Sequence, residues 1–200
     1  MKYFLAQLNS IVGDIDGNLE RIAEMYRDCA KQIAAHEQGV VIFPEMAITG
    51  YPAEDILYKS AFRSAAEETL ESLKEITRES HLSMLVGGLR TEAQKRKFTL
   101  ANDNSSDEAL YNSAFLIDGG EVHFTTDKYA LPNYGVFDEK RLFTAGELPK
   151  LYHLHGKRVA IMICEETWDP ECRDHVAALM PDIIISTNAS PFEMDKAPRR

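Results

Sequence analysis

Val40-Val41-Ile42-Phe43 runs straight into Pro44-Glu45. Consecutive apolar residues without polar alternation predict a strand buried on both faces, between helices or inside a sandwich. Proline stops that strand, and a carboxylate follows at once. Upstream, Leu19, Ile22, Ala23, Tyr26, Ala30, Ile33 and Ala34 recur at helical spacing. They predict a helix over about residues 18–36, capped by Asp16 or Asn18 and ended by Gly39. Residues 2–9 read as the strand before it. Downstream, Ser60 caps a second helix. Its inward stripe is Ala66, Leu70, Leu73 and Ile76 or Thr77, with Glu67, Glu68, Glu71, Lys74 and Glu75 on the wet side. Residues 82–89 form the next strand, where Gly87-Gly88 predicts a bulge or a close backbone approach.

The second half of the chain adds hairpins. Residues 91–108 are polar and read as an exposed loop or hairpin tip. Residues 110–117 and 121–126 flank the turn Asp118-Gly119-Gly120. Residues 150–154 and 157–163 flank His155-Gly156. A helix over 171–180 and a buried strand over 182–186 complete the pattern. Hairpins mixed with strand–helix–strand units predict one α/β domain, with mixed sheets inside and helices outside.

The 200 residues carry 22 basic and 32 acidic side chains, a formal net charge of −10. A nucleic-acid binder needs a basic face, so that class is excluded as a partner. No apolar run is long enough to cross a bilayer, which predicts no membrane partner. Residues 1–6 meet Gln7 and Asn9 too early for a signal-peptide core, so a cytoplasmic location is expected. Cys29, Cys164 and Cys172 are too few for a disulfide framework. Cys29 and Cys172 lie in helical patterns and read as core filler.

Three apolar strands end in a reactive side chain. Glu45 follows the first, Lys128 follows Phe124-Thr125-Thr126-Asp127, and Cys164-Glu165 follow Val159-Ala160-Ile161-Met162-Ile163. Strand ends are where layered α/β folds place ligand sites. A thiol needs a base or a nearby positive charge to become a nucleophile. A carboxylate takes its proton and returns it to a leaving amine, and an ammonium holds the oxyanion. Together they make a site for acyl transfer from an amide or nitrile. His153-Leu154-His155 with Cys172 and His175 matches no standard zinc spacing, and no metal site is expected.

These segments resemble the nitrilase superfamily, and within it the glutaminase domains of glutamine-dependent NAD synthetases. The residues that carry the resemblance are Phe43-Pro44-Glu45 with Thr49-Gly50-Tyr51-Pro52, and the long run Asp127-Lys128-Tyr129-Ala130-Leu131-Pro132-Asn133-Tyr134-Gly135-Val136-Phe137-Asp138-Glu139. Ile163-Cys164-Glu165-Glu166-Thr167-Trp168 and Asn188-Ala189-Ser190-Pro191-Phe192 with Lys196 continue it. The resemblance implies an αββα sandwich of two mixed sheets flanked by helices, spanning residues 1–200 and cut short at its C-terminus. It implies Glu45 as general base, Lys128 as oxyanion and thiolate partner, and Cys164 as nucleophile. Tyr134, Ser190 and Lys196 fall where that family contacts glutamine, and Glu139 is the candidate for an additional carboxylate. Glu165 would offer its N–H to the oxyanion and its carboxylate to the substrate ammonium, while Trp168 would wall the pocket.

The implied reaction is glutamine hydrolysis through a Cys164 thioester. Its ammonia would feed conversion of nicotinic acid adenine dinucleotide to NAD on a synthetase domain of the same polypeptide. ATP and magnesium would be needed only there. This sequence shows no P-loop or Ser-Gly-Gly pyrophosphate loop, so no cofactor is expected within these 200 residues. A homo-oligomer is implied as well. The alternatives are a free-standing amidase or carbamoylase acting on another C–N compound, and a catalytically silent interaction domain.

Overall fold

The computed structural model describes residues 1–34, 36–78, 80–93 and 108–191. The predicted loop over 91–108 lies largely outside the described residues, as does Lys196. Strands β1 (Lys2–Leu5), β2 (Gly39–Ile42), β3 (Leu82–Ala93), β4 (Glu108–Asp118) and β5 (Glu121–Asp127) form one sheet in that order. The pairs β1–β2 and β2–β3 are parallel, whereas β3–β4 and β4–β5 are antiparallel. A second sheet holds β6 (Leu151–Leu154), β7 (Lys157–Ile163) and β8 (Ile183–Thr187). There β6–β7 is antiparallel and β7–β8 parallel.

The burial pattern makes this a four-layer sandwich. Val40, Ile42, Leu85, Ala114 and Leu116 of the first sheet pack with Leu154, Val159, Ile161, Ile163 and Ile185 of the second. That dry layer between the sheets is the inner core. The opposite face of the first sheet, with Val41, Met84, Val86, Phe115 and Ile117, meets helices α1 (Ile15–Ala30) and α2 (Ser60–Arg78) through Ile22, Tyr26, Phe62, Ala66 and Leu73. The far face of the second sheet, Ala160 and Met162, meets Cys172 and Val176. Those two residues belong to α4 (Pro170–Leu179); the short helix between, α3, is Glu139–Leu142. Each residue of β2 is buried, because one face meets the helices and the other meets the second sheet. The αββα class implied by the family resemblance is therefore the observed one.

Three local expectations are corrected. Helix α1 starts earlier than predicted, because Asp14 rather than Asp16 or Asn18 caps it, accepting the Gly17 N–H at 3.1 Å. Asn18 instead turns inward, where its amide donates to the Ile11 and Ile48 carbonyls and accepts the Ile11 N–H. The helix also ends at Ala30, short of residue 36, in a turn closed by Gln32 N–H on the Cys29 carbonyl. Finally, β8 is buried on one face only. Ile185 and Thr187 are buried and Ile184 is exposed, since the apolar cluster under α4 takes in Ala160 and Met162 of β7 and no residue of β8.

Candidate active site

Strands β2 and β5 run in the same direction, because two antiparallel steps separate β3 from β5. Their C-terminal ends therefore share an edge. Glu45 lies just past β2, and Lys128 directly follows β5. Cys164 directly follows β7, and Ala189-Ser190 follow β8 in the facing sheet. The two sheets meet at this edge, where the Ala189 N–H donates to Glu45 Oε2 at 3.0 Å.

Lys128 Nζ sits 2.8 Å from Glu45 Oε1 and 2.8 Å from Glu139 Oε1. All three side chains are buried. Asn112 Nδ2 adds a second donor to Glu45 Oε1 at 2.8 Å, and the Tyr51 hydroxyl donates to Glu139 Oε1 at 2.8 Å. Buried charges are tolerable only when paired and hydrogen-bonded in this way. Cys164 Sγ lies 3.6 Å from Ser190 Oγ. A cavity of about 610 Å³ opens beside the cluster, with Gln7, Asn9, Glu45, Tyr51, Asn188 and Ser190 in its wall.

The backbone at the thiol is unusual. Cys164 has φ +46°, a left-handed conformation that side chains with a β-carbon seldom adopt. Such strain persists only where the surroundings hold it. Here the buried Glu166 carboxylate does so, accepting N–H bonds from Ile163 at 2.6 Å and from Tyr129 at 2.7 Å. One side chain thus ties the turn that carries Cys164 to the segment just after Lys128. Thr167 Oγ1 adds a bond to the Cys164 carbonyl at 2.7 Å.

Gly87 explains the glycine pair inside β3. A β-carbon there would lie 2.4 Å from Met46 N, 2.5 Å from the Pro44 carbonyl oxygen and 2.7 Å from Glu45 Cα. The backbone that presents Glu45 rests directly on this glycine. Gly87→Ala is therefore expected to push Glu45 out of place, costing about 1–3 kcal/mol of stability as an overpacked site does. Most activity should vanish even at temperatures where the variant is fully folded. Steady-state assays beside a thermal melt check this.

The sequence pattern of carbon–nitrogen hydrolases matches residues 5–200. The chain belongs to the carbon–nitrogen hydrolase family. Among curated relatives of this carbon–nitrogen hydrolase, the glutamine-dependent NAD(+) synthetase of Aquifex aeolicus is 34% identical over 193 residues, covering 96% of this chain and 30% of the relative. That of Acinetobacter baylyi is 31% identical over 199 residues, covering 100% of this chain and 33% of the relative. The chain thus spans about a third of the length of the curated relatives it matches. In structure it resembles the glutamine-dependent NAD+ synthetase from Acinetobacter baumannii in complex with ADP, with a TM-score of 0.84 and 31% identity over 99% of this chain and 34% of the other. An amidase from Nesterenkonia sp. shares the fold at a TM-score of 0.77 and 21% identity, covering 98% of this chain and 67% of that one.

In this carbon–nitrogen hydrolase the charges set the resting state. Burial pushes the Cys164 thiol up to about 11; the Glu45 carboxylate adds to the rise and the Lys128 ammonium partly opposes it. Burial works against the charge on Lys128, yet Glu45, Glu139 and Cys164 together hold it above its ordinary range. Glu139 is raised, chiefly by burial, with Lys128 pulling it back. Burial also lifts Glu166 to about 7, against the two N–H donors that favour its charged form. The free site therefore holds a protonated thiol beside a permanent ammonium. Alkylation of Cys164 by iodoacetamide should be slower at neutral pH than for an ordinary exposed thiol. Its rate should keep climbing through pH 9–10, because burial pushes the thiol up to about 11. A plateau below pH 8 in the rate profile would contradict this.

The remaining sequence-derived candidates are placed as follows. Tyr134 is exposed, and its hydroxyl donates to Glu165 Oε2 at 2.7 Å. Burial first, then that bond, pushes its hydroxyl up to about 12. Trp168 is half-exposed at the end of the 164–167 turn, its N–H on the Glu165 carbonyl. Ser190 faces the thiol. Lys196 lies outside the described residues. The sequence reading missed Asn112, Tyr51 and Glu166. Asn112 left a mark as an amide inside a largely apolar strand, and Tyr51 and Glu166 stood in the runs that carry the family resemblance without a role of their own. Among the described residues no cluster of three or more His, Cys, Asp or Glu is arranged to hold a metal. No helix there is long and apolar enough to cross a membrane.

Proposed function

We propose that this chain hydrolyses the side-chain amide of L-glutamine. The observation that carries this is Lys128 Nζ clamped 2.8 Å from each of two buried carboxylates, beside a thiol whose ionisation both Glu45 and Lys128 influence. Cys164 attacks the amide carbon as its proton passes to Glu45. The electrons of the C=O π bond move to oxygen, and the Lys128 ammonium and the Glu165 N–H stabilise that oxyanion. Collapse breaks the C–N bond, and Glu45 returns the proton so that ammonia leaves. A γ-glutamyl thioester remains on Cys164. Glu45 then takes a proton from water, which attacks the thioester; collapse breaks the C–S bond, glutamate leaves, and Glu45 returns the proton to the Cys164 thiolate. Glu139, held by Tyr51, keeps Lys128 in place and charged through both steps.

Tyr134, Glu165, Trp168, Ser190 and Lys196 form the glutamine subsite in this reading. Ser190 Oγ lies 3.6 Å from the thiol, and Tyr134 with Glu165 forms a polar pair able to meet the substrate's ammonium or carboxylate. The similarity to glutamine-dependent NAD synthetases supports the further step. Ammonia passes to a synthetase domain of the same polypeptide, which uses ATP to convert nicotinic acid adenine dinucleotide to NAD in the cytoplasm, in a homo-oligomeric enzyme. The test uses the protein in its full encoded length. Glutamine-driven NAD formation should be lost in Cys164→Ser, while formation from added ammonium salts survives. Glutamine-driven synthesis by that variant at the wild-type rate would refute the proposal.

A further inference from the structure

Asn112 reaches two members of the catalytic cluster from β4. Its main-chain carbonyl accepts the Lys128 N–H at 2.8 Å. Its side-chain amide donates to Glu45 Oε1 at 2.8 Å, the same oxygen that Lys128 Nζ contacts. A carboxylate offers no proton, so the amide must turn its nitrogen toward Glu45. The carbonyl end of that amide, Oδ1, is buried and has no hydrogen-bond partner among the described residues. A buried strand gains nothing from an orphaned acceptor, which costs stability. The donor end must therefore be what the position serves. Glu45 is otherwise gripped by Lys128 on Oε1 and by the Ala189 N–H on Oε2. Lys128 is itself shared with Glu139, so its pull on Glu45 is divided. Asn112 supplies the contact that is neutral and fixed in the strand ladder.

We propose that Asn112 is a positioning residue for the hydrolysis, holding Glu45 and Lys128 in one register so that Glu45 meets the Cys164 thiol. This rests on the reading of Glu45, Lys128 and Cys164 as the reacting groups. Asn112 hydrogen-bonds to Glu45 and to the Lys128 main chain, and not to the Cys164 sulfur. Its loss should therefore fall on turnover and leave glutamine binding alone.

The test uses the full encoded protein and two variants. Asn112→Leu removes the donor together with the orphaned acceptor, which favours folding. Asn112→Asp keeps the shape but sets a carboxylate against Glu45. Hydrogen-bond partners that only orient a reacting group cost about 10- to 100-fold in activity when removed from metal sites, the nearest precedent for this role. We therefore expect kcat for glutamate release to fall about 30-fold or more in Asn112→Leu, and further in Asn112→Asp. KM for glutamine should stay within about threefold, and glutamine should still protect Cys164 from alkylation. If Asn112→Asp does not fold, Asn112→Leu carries the test alone. The proposal is overturned if kcat stays near wild type, if KM rises while kcat holds, or if kcat falls only in proportion to the glutamine-protectable fraction of Cys164. A wild-type protein that neither releases glutamate nor shows glutamine protection of Cys164 would sink the parent reading, and this proposal with it.

Discussion

Cys164→Ala is expected to lower glutamate release from glutamine by at least about 10,000-fold, as loss of a nucleophile does when the residues around it act as one unit. No other described group can replace the sulfur, because Ser190 Oγ, 3.6 Å away, has no base bonded to it. The fold should survive. The substitution removes one sulfur from a site already at the edge of the sheet, a cost of about 1 kcal/mol or less. The left-handed turn at this position is held by Glu166 and Thr167 rather than by the thiol. Glutamate assays beside a thermal melt separate the two effects. A variant that still hydrolyses glutamine would leave the thiol without a role.

Lys128→Met should produce the largest loss of stability. It leaves the Glu45 and Glu139 carboxylates buried and facing one another with their common cation gone. Breaking a buried ion pair by removing one partner costs about 3–5 kcal/mol. The deficit should shrink at lower pH, and the sign follows from Glu139. Its carboxyl is already raised, first by burial, and only Lys128 and Tyr51 hold it down. Without the ammonium it rises further, so the native state binds a proton that the unfolded chain releases. Stability of the variant relative to wild type therefore improves as pH falls from 8 toward 5. Chemical denaturation at both pH values measures this, and an equal deficit at both would count against it. Activity should be lost at every pH, since no cation remains to hold the oxyanion.

The strands, helices and hairpins were largely legible in the sequence because hydrophobic patterning encodes burial, while their stacking into a four-layer sandwich was implied by the family resemblance. The unbroken run before Pro44 announced a strand covered on both faces, and the two Gly turns announced their hairpins. Gly87 was legible as a close approach, although not as the seat of Glu45. The helix α1 boundaries were misread because Asp14, Asp16 and Asn18 all suit a cap by residue type. Only the three-dimensional path shows that Asn18 is wanted inside, between residues 11 and 48. Glu45, Lys128 and Cys164 stood out as reactive groups at strand ends. Their partners did not. Tyr51 reaches Glu139 across 88 positions, and Glu166 reaches Tyr129 across 37. Bonds between a side chain and a distant partner leave no period in the sequence. Glu139 was a candidate without a fixed register, and the structure places its oxygen 2.8 Å from Lys128.

The central claim is that Cys164 carries the acyl group. It is tested most directly by mixing the protein with glutamine, quenching in acid within milliseconds to seconds, and mapping the peptides by mass spectrometry. The account predicts that the peptide containing Cys164 gains one glutamyl residue, that hydroxylamine removes it, and that it is absent in Cys164→Ala. Glutamate release with no adduct on any cysteine, or with the adduct on Cys29 or Cys172, would contradict it.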